Sequence, residues 1–255
     1  MLDVTKKNIV NGLDLDALDE TVAAIREDPG CAKVEFRVRT EWMGQTRSES
    51  RVEGYRLGGQ EIPRSFTIVR DEPHEMLGAN GAPNPQQMLM MAVHACMTVG
   101  YVAQASVRGI PLESCTIDTH GELDLRGFLG LDDSVPPGYR RIHYTVSLYG
   151  DGTPEQYRDI HEAVMATSPN FFNMARPVEM IGTLKIDQSF VRDAAINSDD
   201  ATIVRTIIDM GKALEVEVVA EGVENEEQFN FLRNRGCHYG QGRVFGDAMS
   251  PQAFL

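Results

Sequence analysis

Residues 84–109, NPQQMLMMAVHACMTVGYVAQASVRG, are the stretch around which the rest of the chain is organised. Asn84 is a favourable N-cap, Pro85 suits the first helical position, and Gln87 can complete a capping box. Gly109 suits the left-handed residue that often ends a helix. Between these caps nearly every face is apolar or small, which predicts one long helix that is buried all round.

This predicted helix is close to the roughly 20 residues that a membrane span requires. Polar residues interrupt it, among them Gln86, His94 and Gln104. We therefore expect the core helix of a soluble protein and no membrane partner. Cys96 lies near its middle, and His94 is two residues earlier. Side chains two residues apart point to different sides of a helix, so we interpret His94 as a core or interface histidine and not as a base for Cys96.

The composition limits the classes of partner and cofactor. The chain has 255 residues, 42% of them hydrophobic, and a formal net charge of −14. This acidic balance disfavours nucleic acid and anionic membrane surfaces as partners. The four cysteines show no CxxC pairing and no metal-ligand spacing. No signal-peptide pattern is visible, so we expect free thiols in the cytoplasm, and we expect no metal or cofactor.

The segments beside the helix predict a mixture of helices and antiparallel strands. Before it, we predict a helix over 16–27 and a strand over 33–42 whose alternating pattern indicates one buried face. Partner strands are predicted over 46–55 and 66–69.

After the helix, the pattern predicts strands over 115–125 and 142–148. A capping pair, Thr153 and Gln156, then begins a further helix, and a short helical turn follows over 171–175.

Residues 11–182 resemble the OsmC/Ohr family of stress-related proteins. The resemblance rests on the order of strands and on the segments NPQQMLMMAVHAC, GELDLRGFLGLDD and SPNFFNMARPV. It implies an α+β fold with two buried helices between curled antiparallel sheets, and an intertwined homodimer. We assign residues 1–182 to this OsmC-like domain.

The residues after this domain follow a different pattern. Strands are predicted over 181–186, 216–220 and 240–245, with helices over 199–214 and 226–235, and this βαβαβ order is typical of a parallel sheet. The segments LKIDQSF, VVAEGVENEEQF and GCHYGQGRVF resemble the end of an EAL domain, the cyclic di-GMP phosphodiesterase barrel.

A complete (β/α)₈ barrel takes roughly 250 residues. We therefore assign residues 183–255 to a truncated C-terminal fragment of an EAL domain, a partial TIM barrel.

The OsmC/Ohr resemblance implies a peroxide-reducing site with four parts. A reactive cysteine lies on the buried helix, and Cys96 matches it. A glutamate earlier on that helix orients an arginine from a strand, and the arginine favours the thiolate. A second cysteine, at the start of a later helix, resolves the sulfenic acid as a disulfide. Arg37, Arg39 and Arg47 are the candidate arginines, and the sequence does not choose among them.

Two of these four parts are altered in this sequence. The glutamate position holds Gln86 or Gln87, and the second cysteine position holds Ser168. A glutamine carries no charge and holds an arginine less firmly, and a serine cannot form a disulfide. The leading hypothesis is therefore an OsmC-family stress-response protein acting on organic hydroperoxides, with a degenerate thiol site and weak or no peroxidase activity.

Two other hypotheses come from different classes. A lone buried cysteine is often only a small hydrophobic residue, and the helix pair could instead form a pocket for a small apolar ligand, lined by Met and Phe. The third hypothesis is a cyclic di-GMP enzyme. Lys185, Glu221 and Gln241 fall where EAL domains place active-site residues. Because no EAL string occurs in the chain and the family uses two metals, we interpret these positions as vestigial.

Overall fold

The computed structural model describes residues 8–246. The chain divides into two compact units, one up to Pro177 and one from Val178 onward, and each is described by itself below.

The first unit begins with a small hairpin and an exposed helix. Strands β1 (Ile9–Val10) and β2 (Leu13–Asp14) pair antiparallel. Helix α1 (Leu15–Glu27) starts where the carboxylate of Asp14 accepts from the N–H of Ala17. A 3₁₀ turn, Pro29–Ala32, follows it.

A four-stranded antiparallel sheet comes next. Its strands are β3 (Val34–Phe36), β4 (Arg39–Trp42), β5 (Ser48–Leu57) and β6 (Gln60–Arg70). The predicted single strand over 33–42 is thus two short strands, which pair with opposite ends of β5.

The prediction that strand 33–42 has one buried face is wrong for the single chain. Phe36 is 73% exposed and Trp42 is 76% exposed, and Phe66 on β6 is 53% exposed. The alternating pattern is present, but within its own unit no layer of residues buries these side chains.

Asp71 organises the loop between this sheet and the central helix. Its carboxylate accepts from the hydroxyl of Thr46 at 2.8 Å and from the backbone N–H groups of Glu72, Ala79 and Gly81. The hydrogen bond from Thr46, followed by those from the backbone, lowers the pKa of Asp71 below its usual value.

Helix α2 (Pro85–Val107) confirms the predicted central helix. The side chain of Asn84 accepts from the N–H of Gln87 at 2.8 Å, and the side chain of Gln87 accepts from the N–H of Asn84 at 2.9 Å. Gly109 follows the helix with φ of +66°, the left-handed conformation that glycine adopts without strain. The predicted capping box is therefore present.

The prediction that α2 is buried on all faces is wrong for the single chain. Within α2 the fully buried residues are Met97, Tyr101, Ala105 and Ser106. On other faces Val99 is 70% exposed. Among residues 8–246, α2 is the one helix long and apolar enough to cross a membrane. Core helices of soluble proteins share this length and composition.

One face of α2 packs against the rest of the first unit. Strands β7 (Leu112–Gly121) and β8 (Ile142–Gly150) form an antiparallel pair, and the short helix α3 (Leu125–Phe128) lies between them in sequence. Helices α4 (Pro154–Thr167) and α5 (Pro169–Ala175) complete the unit. The core joins Met97 and Tyr101 to Ile160 and Val164 of α4.

The second unit is a three-stranded parallel sheet in the order β11-β10-β9. Its elements are β9 (Thr183–Ile186), α6 (Gln188–Asp193), α7 (Ser198–Ala213), β10 (Glu217–Glu221), α8 (Glu226–Asn234) and β11 (Tyr239–Gln241). The predicted βαβαβ order is present. The sequence interpretation missed α6, and β11 is shorter than the predicted strand because a 3₁₀ turn occupies Arg243–Phe245.

Side chains alternate across this parallel sheet. One face carries Ile186, Val218 and Ala220, which are fully buried together with Val204 and Ile208 of α7. The second unit therefore has a core of its own. The described strands of the chain form open sheets, with no closed barrel among them.

Candidate functional site

Cys96 and Ser168 lie in contact. The hydroxyl of Ser168 donates to the sulfur of Cys96 across 3.3 Å. Ser168 is 4% exposed and Cys96 is half-buried on α2. Ser168 ends α4 and caps α5, where its oxygen also accepts from the N–H of Phe171. The structure thus brings together two residues that the OsmC/Ohr resemblance assigns to one site.

A second hydrogen bond fixes α5 beside the thiol. The side-chain amide of Asn170 donates to the carbonyl oxygen of Ala92 at 2.7 Å. Ala92 precedes Cys96 by one helical turn, so the start of α5 is attached to α2 at two adjacent points. The sequence interpretation did not single out Asn170, although it lies within the SPNFFNMARPV segment.

The structure distinguishes Gln86 from Gln87. The side chain of Gln87 is exposed and is used in the capping box with Asn84. Gln86 is half-buried and lines a cavity beside α2. Of the two glutamines, Gln86 is therefore the one whose side chain faces the interior of the unit.

The candidate arginines lie on the N-terminal sheet or its turns. Arg37 forms ion pairs with Glu35 and Glu61, and Arg39 pairs with Glu41. Arg47 lies in the turn between β4 and β5, where its carbonyl oxygen accepts from Met43. Among residues 8–246, no hydrogen bond or ion pair joins any of these three arginines to α2.

His94 contacts a neighbouring strand. Its Nε2 atom lies 2.5 Å from the hydroxyl of Thr119 on β7. This contact uses a side of α2 different from that of the Cys96–Ser168 contact.

The remaining cysteines are free thiols elsewhere in the chain. Cys115 on β7 and Cys237 in the second unit have raised pKa values because burial disfavours their thiolates. Cys31 is exposed, and its pKa is raised because its thiol donates to the carboxylate of Asp28. A raised pKa makes a thiol less reactive at neutral pH.

An apolar cavity of about 630 Å³ lies beside α2. The side chains of Leu89, Met90, Val93, Met97, Ile142, Phe171 and Met174 provide most of its wall. Gln86, His94, Arg140 and Arg141 also line it. The sequence interpretation predicted Met and Phe in such a pocket but missed the two arginines, which stand immediately before β8.

The three EAL-like positions meet at one end of the parallel sheet. The ammonium group of Lys185 lies 2.6 Å from a carboxylate oxygen of Glu221, and Glu221 pairs in register with Gln241. Within residues 8–246, no group of three or more His, Cys, Asp or Glu side chains is placed to hold a metal. These are the three positions that the EAL resemblance implies as vestigial active-site residues, and the structure places them toward the carboxyl ends of β9, β10 and β11.

Comparison with protein families identifies two classes along the chain. Residues 78–181 match the model of the OsmC-like protein family, and residues 177–248 match the model of the EAL domain. The resemblance of the chain to both families is therefore confirmed. The OsmC-like match lies mostly in the first unit and runs to residue 181, and the EAL match covers most of the second unit.

The curated relatives match through the EAL segment. MucR of Pseudomonas aeruginosa, a bifunctional diguanylate cyclase/cyclic di-GMP phosphodiesterase, is 44% identical over 72 residues, which is 28% of this chain and 10% of that protein. PdeD of Escherichia coli, a probable cyclic di-GMP phosphodiesterase, is 45% identical over 73 residues, or 28% of this chain and 13% of its own length. The chain spans about a tenth of the length of these relatives.

Solved structures resemble each part in turn. An OsmC-like protein from Mycoplasma pneumoniae aligns with a TM-score of 0.45 at 12% identity, covering 56% of this chain and 89% of that one. The EAL enzyme Bd1971 aligns with a TM-score of 0.29 at 35% identity, covering 29% of this chain and 20% of that one. The mixed content of helices and sheets agrees with the predicted α+β class.

Proposed function

We propose that the first unit is an OsmC-type stress-response protein in which Cys96 reduces organic hydroperoxides slowly. The observation that carries this proposal is the hydrogen bond from Ser168 to the sulfur of Cys96. It supports the assignment of Ser168 to the position of the resolving cysteine, in contact with the reacting thiol. The match to the OsmC-like family over residues 78–181 supports the same assignment.

The proposed reaction begins when the thiolate of Cys96 attacks one oxygen of the hydroperoxide. A sulfur–oxygen bond forms, the O–O bond breaks, and the leaving alkoxide takes a proton to become an alcohol. The resulting sulfenic acid needs a thiol to return it to the reduced state. Ser168 offers a hydroxyl, so an external thiol must supply the electrons. It forms a mixed disulfide with release of water, and a second thiol then frees Cys96.

We also propose that the first unit acts as an intertwined homodimer, in the cytoplasm. Two apolar surfaces within this unit support the dimer: the N-terminal sheet, with exposed Phe36 and Trp42, and the outer face of α2, with exposed Val99. Packing the sheet of one copy onto the helix of another would bury both surfaces. It would also carry Arg37, Arg39 or Arg47 toward the thiol of the other copy.

The test is the consumption of cumene hydroperoxide by the purified full-length chain with dithiothreitol as reductant. We expect slow turnover that is lost in Cys96→Ser and retained in the matched control Cys31→Ser, because Cys31 is exposed and lies outside the site. Equal rates in the two variants would contradict the assignment of Cys96.

A second function, the binding of a small apolar ligand, is favoured by a specific observation. The cavity beside α2 has a volume of about 630 Å³ and a largely apolar wall, a size within the usual range for small-molecule sites. Binding of decanol by the purified protein, measured by titration calorimetry, tests this function. The expected heat of binding should disappear when Met174→Trp fills the cavity.

We propose that the second unit is not an active phosphodiesterase. The pairing of Lys185 with Glu221 supports this view, because it places a positive charge against the carboxylate at the C-terminal end of the central strand, β10.

A further inference from the structure

Two arginines line the cavity beside α2 together with its apolar side chains. Its apolar wall includes Met90, Met97 and Phe171, whereas Arg140 and Arg141 stand where the loop after α3 reaches β8. We propose that this cavity binds an amphipathic carboxylate. The acyl chain lies against the methionines and the phenylalanine, and the carboxylate is held by the two arginines. This inference rests on the ligand-binding function proposed above and adds the chemistry of the head group.

The charge around the cavity is the first argument for an anion. The chain holds 38 acidic residues against 24 lysines and arginines, yet no aspartate or glutamate is among the residues that line this cavity. The ionisable side chains at its wall include Arg140, Arg141 and His94. An anionic ligand would therefore meet attraction here and no nearby carboxylate in the wall.

The partners of the two arginines are the second argument. Arg37, Arg39 and Arg126 each form an ion pair with a carboxylate. By contrast, Arg140 donates to the backbone oxygen of Ser134 at 3.3 Å, and Arg141 has no side-chain hydrogen bond or ion pair with the residues in 8–246. A guanidinium binds a carboxylate through two parallel hydrogen bonds, and both groups are free to do so.

A neighbouring cavity indicates on which side of the arginines the ligand lies. Arg140 and Arg141 also border an open cavity of about 1010 Å³. Its wall also includes Arg126, which is already paired with Asp124, and Glu122, which forms no ion pair with residues 8–246. An anion placed there would therefore face the unpaired carboxylate of Glu122. The apolar cavity offers the same arginines without those carboxylates. It also offers a wall that an acyl chain would bury, at about 25 cal/mol per Å² of apolar surface.

Titration calorimetry with decanoate and decanol at pH 8 tests the proposal on the full-length protein. The two ligands share one chain length and differ in the head group, and decanoate is fully ionised at this pH. We expect decanoate to bind at least ten times more tightly than decanol. The double variant Arg140→Gln/Arg141→Gln should lose this preference while still binding decanol, and the control Arg26→Gln, in exposed α1, should keep it.

The outcomes separate this inference from the function on which it rests. If decanol and decanoate bind native protein equally, the cavity is an apolar site and the proposed head-group contact is wrong. If neither binds, both proposals fail. A preference for decanoate that survives in the double variant would place the carboxylate elsewhere and overturn the assignment. Met174→Trp should weaken both ligands together, because it fills part of the cavity with a larger side chain and keeps both arginines.

Discussion

The hydroxyl of Ser168 lies 3.3 Å from the sulfur of Cys96 and donates a hydrogen bond to it. The same oxygen accepts from the backbone of Phe171 and so begins α5. One side chain therefore joins the end of α4, the start of α5 and the thiol on α2. Because this junction is buried, a substitution of Ser168 places its new side-chain atom against the sulfur.

We predict that Ser168→Cys forms a disulfide with Cys96 when the protein is treated with one equivalent of hydroperoxide. The sulfenic acid at Cys96 would condense with the new thiol and release water. Intact-mass spectrometry should show the loss of two hydrogens. Native protein in excess peroxide should instead gain two or three oxygens on Cys96, because its sulfenic acid has no thiol beside it.

A cysteine at an exposed site gives the matched control for this experiment. Ser134→Cys, in the exposed loop before β8, should leave Cys96 without a partner, and its oxidation should match that of native protein. Failure of Ser168→Cys to form the bond would show that oxidation separates the two residues.

We predict that adding Gln86→Glu to Ser168→Cys raises the rate of hydroperoxide consumption further. The new carboxylate would lie on the inner side of α2, where it could orient an arginine through a charge-assisted hydrogen bond, and such bonds are about twice as strong as neutral ones. Gln87→Glu is the control, because its side chain is exposed and serves the capping box. Equal rates for the two glutamates would contradict the choice of Gln86.

The sequence predicted the ends of α2 well and its burial poorly. A helix cap is a local structure. The side chains of Asn84 and Gln87 each accept from the other residue's backbone N–H, so a sequence pattern three residues apart is enough to predict the cap. Burial depends on which surfaces meet. The apolar pattern of α2 and of the strand at 33–42 indicates that both should be covered, but Val99 and Phe36 remain exposed in one chain. An apolar pattern does not distinguish a surface that is buried by the same chain from one that is buried by a second copy.

We predict that Val99→Asp converts the dimer to a monomer. Val99 is 70% exposed on α2, and a charge there would be buried at the proposed interface. Leu131→Asp is a matched control, because Leu131 is also 70% exposed but lies in the loop after α3. Sedimentation should show monomers for the first variant and dimers for the second. Native protein that sediments as a folded monomer at micromolar concentration would refute the dimer.

We predict that removing the residues after Pro177 leaves the melting temperature of the first unit nearly unchanged. Each unit has its own buried cluster, one around Tyr101 and one around Ile208. A cut after Pro177 falls between the units, whereas a cut after Gly182 would remove only part of the second unit's segment. Insoluble protein after truncation would show that the units depend on each other for folding.

We predict that Asp71→Asn destabilises the first unit at neutral pH and much less at acid pH. The pKa of Asp71 is lower in the folded protein than in the unfolded chain, where it is near the ordinary value of about 3.9. The stability that the carboxylate contributes is therefore present at pH values above about 3.9. This stability is lost as the pH falls through the pKa of the folded protein. An amide keeps one acceptor and places N–H donors against those of Ala79 and Gly81. Melting curves at pH 7 and pH 3 should show the difference between native and variant protein shrinking at pH 3.

We predict that the full-length protein leaves cyclic di-GMP intact in the presence of magnesium or manganese. The two-metal reaction requires several carboxylates around the phosphodiester, and Glu221 is already paired with Lys185. Chromatography of the nucleotide after prolonged incubation measures this. A linear product that the native protein forms and the Glu221→Gln variant does not form would show that the second unit retains the activity.

Motif comparison placed Ser168 and Cys96 in one site because both lie at defined points of recognised segments. It gave no reason to select Arg140 and Arg141. Their position at the cavity follows from the path of the loop between α3 and β8, which brings them toward α2. Residues that are far apart in sequence but close in the structure can be predicted from motifs only where a family motif includes both of them. Arg140 and Arg141 lie between two of the family segments, in neither of them.

The polar face of the parallel sheet has a consequence for the behaviour of the second unit in concentrated solution. Lys185 pairs with Glu221 and Tyr239 donates to Glu217, so this face is covered with charge and hydrogen-bonding groups. The outer strands, β9 and β11, have only four and three residues. Short outer strands and charged side chains both discourage one sheet from pairing with another. We therefore expect the unit to resist the edge-to-edge aggregation to which an open parallel sheet is otherwise prone.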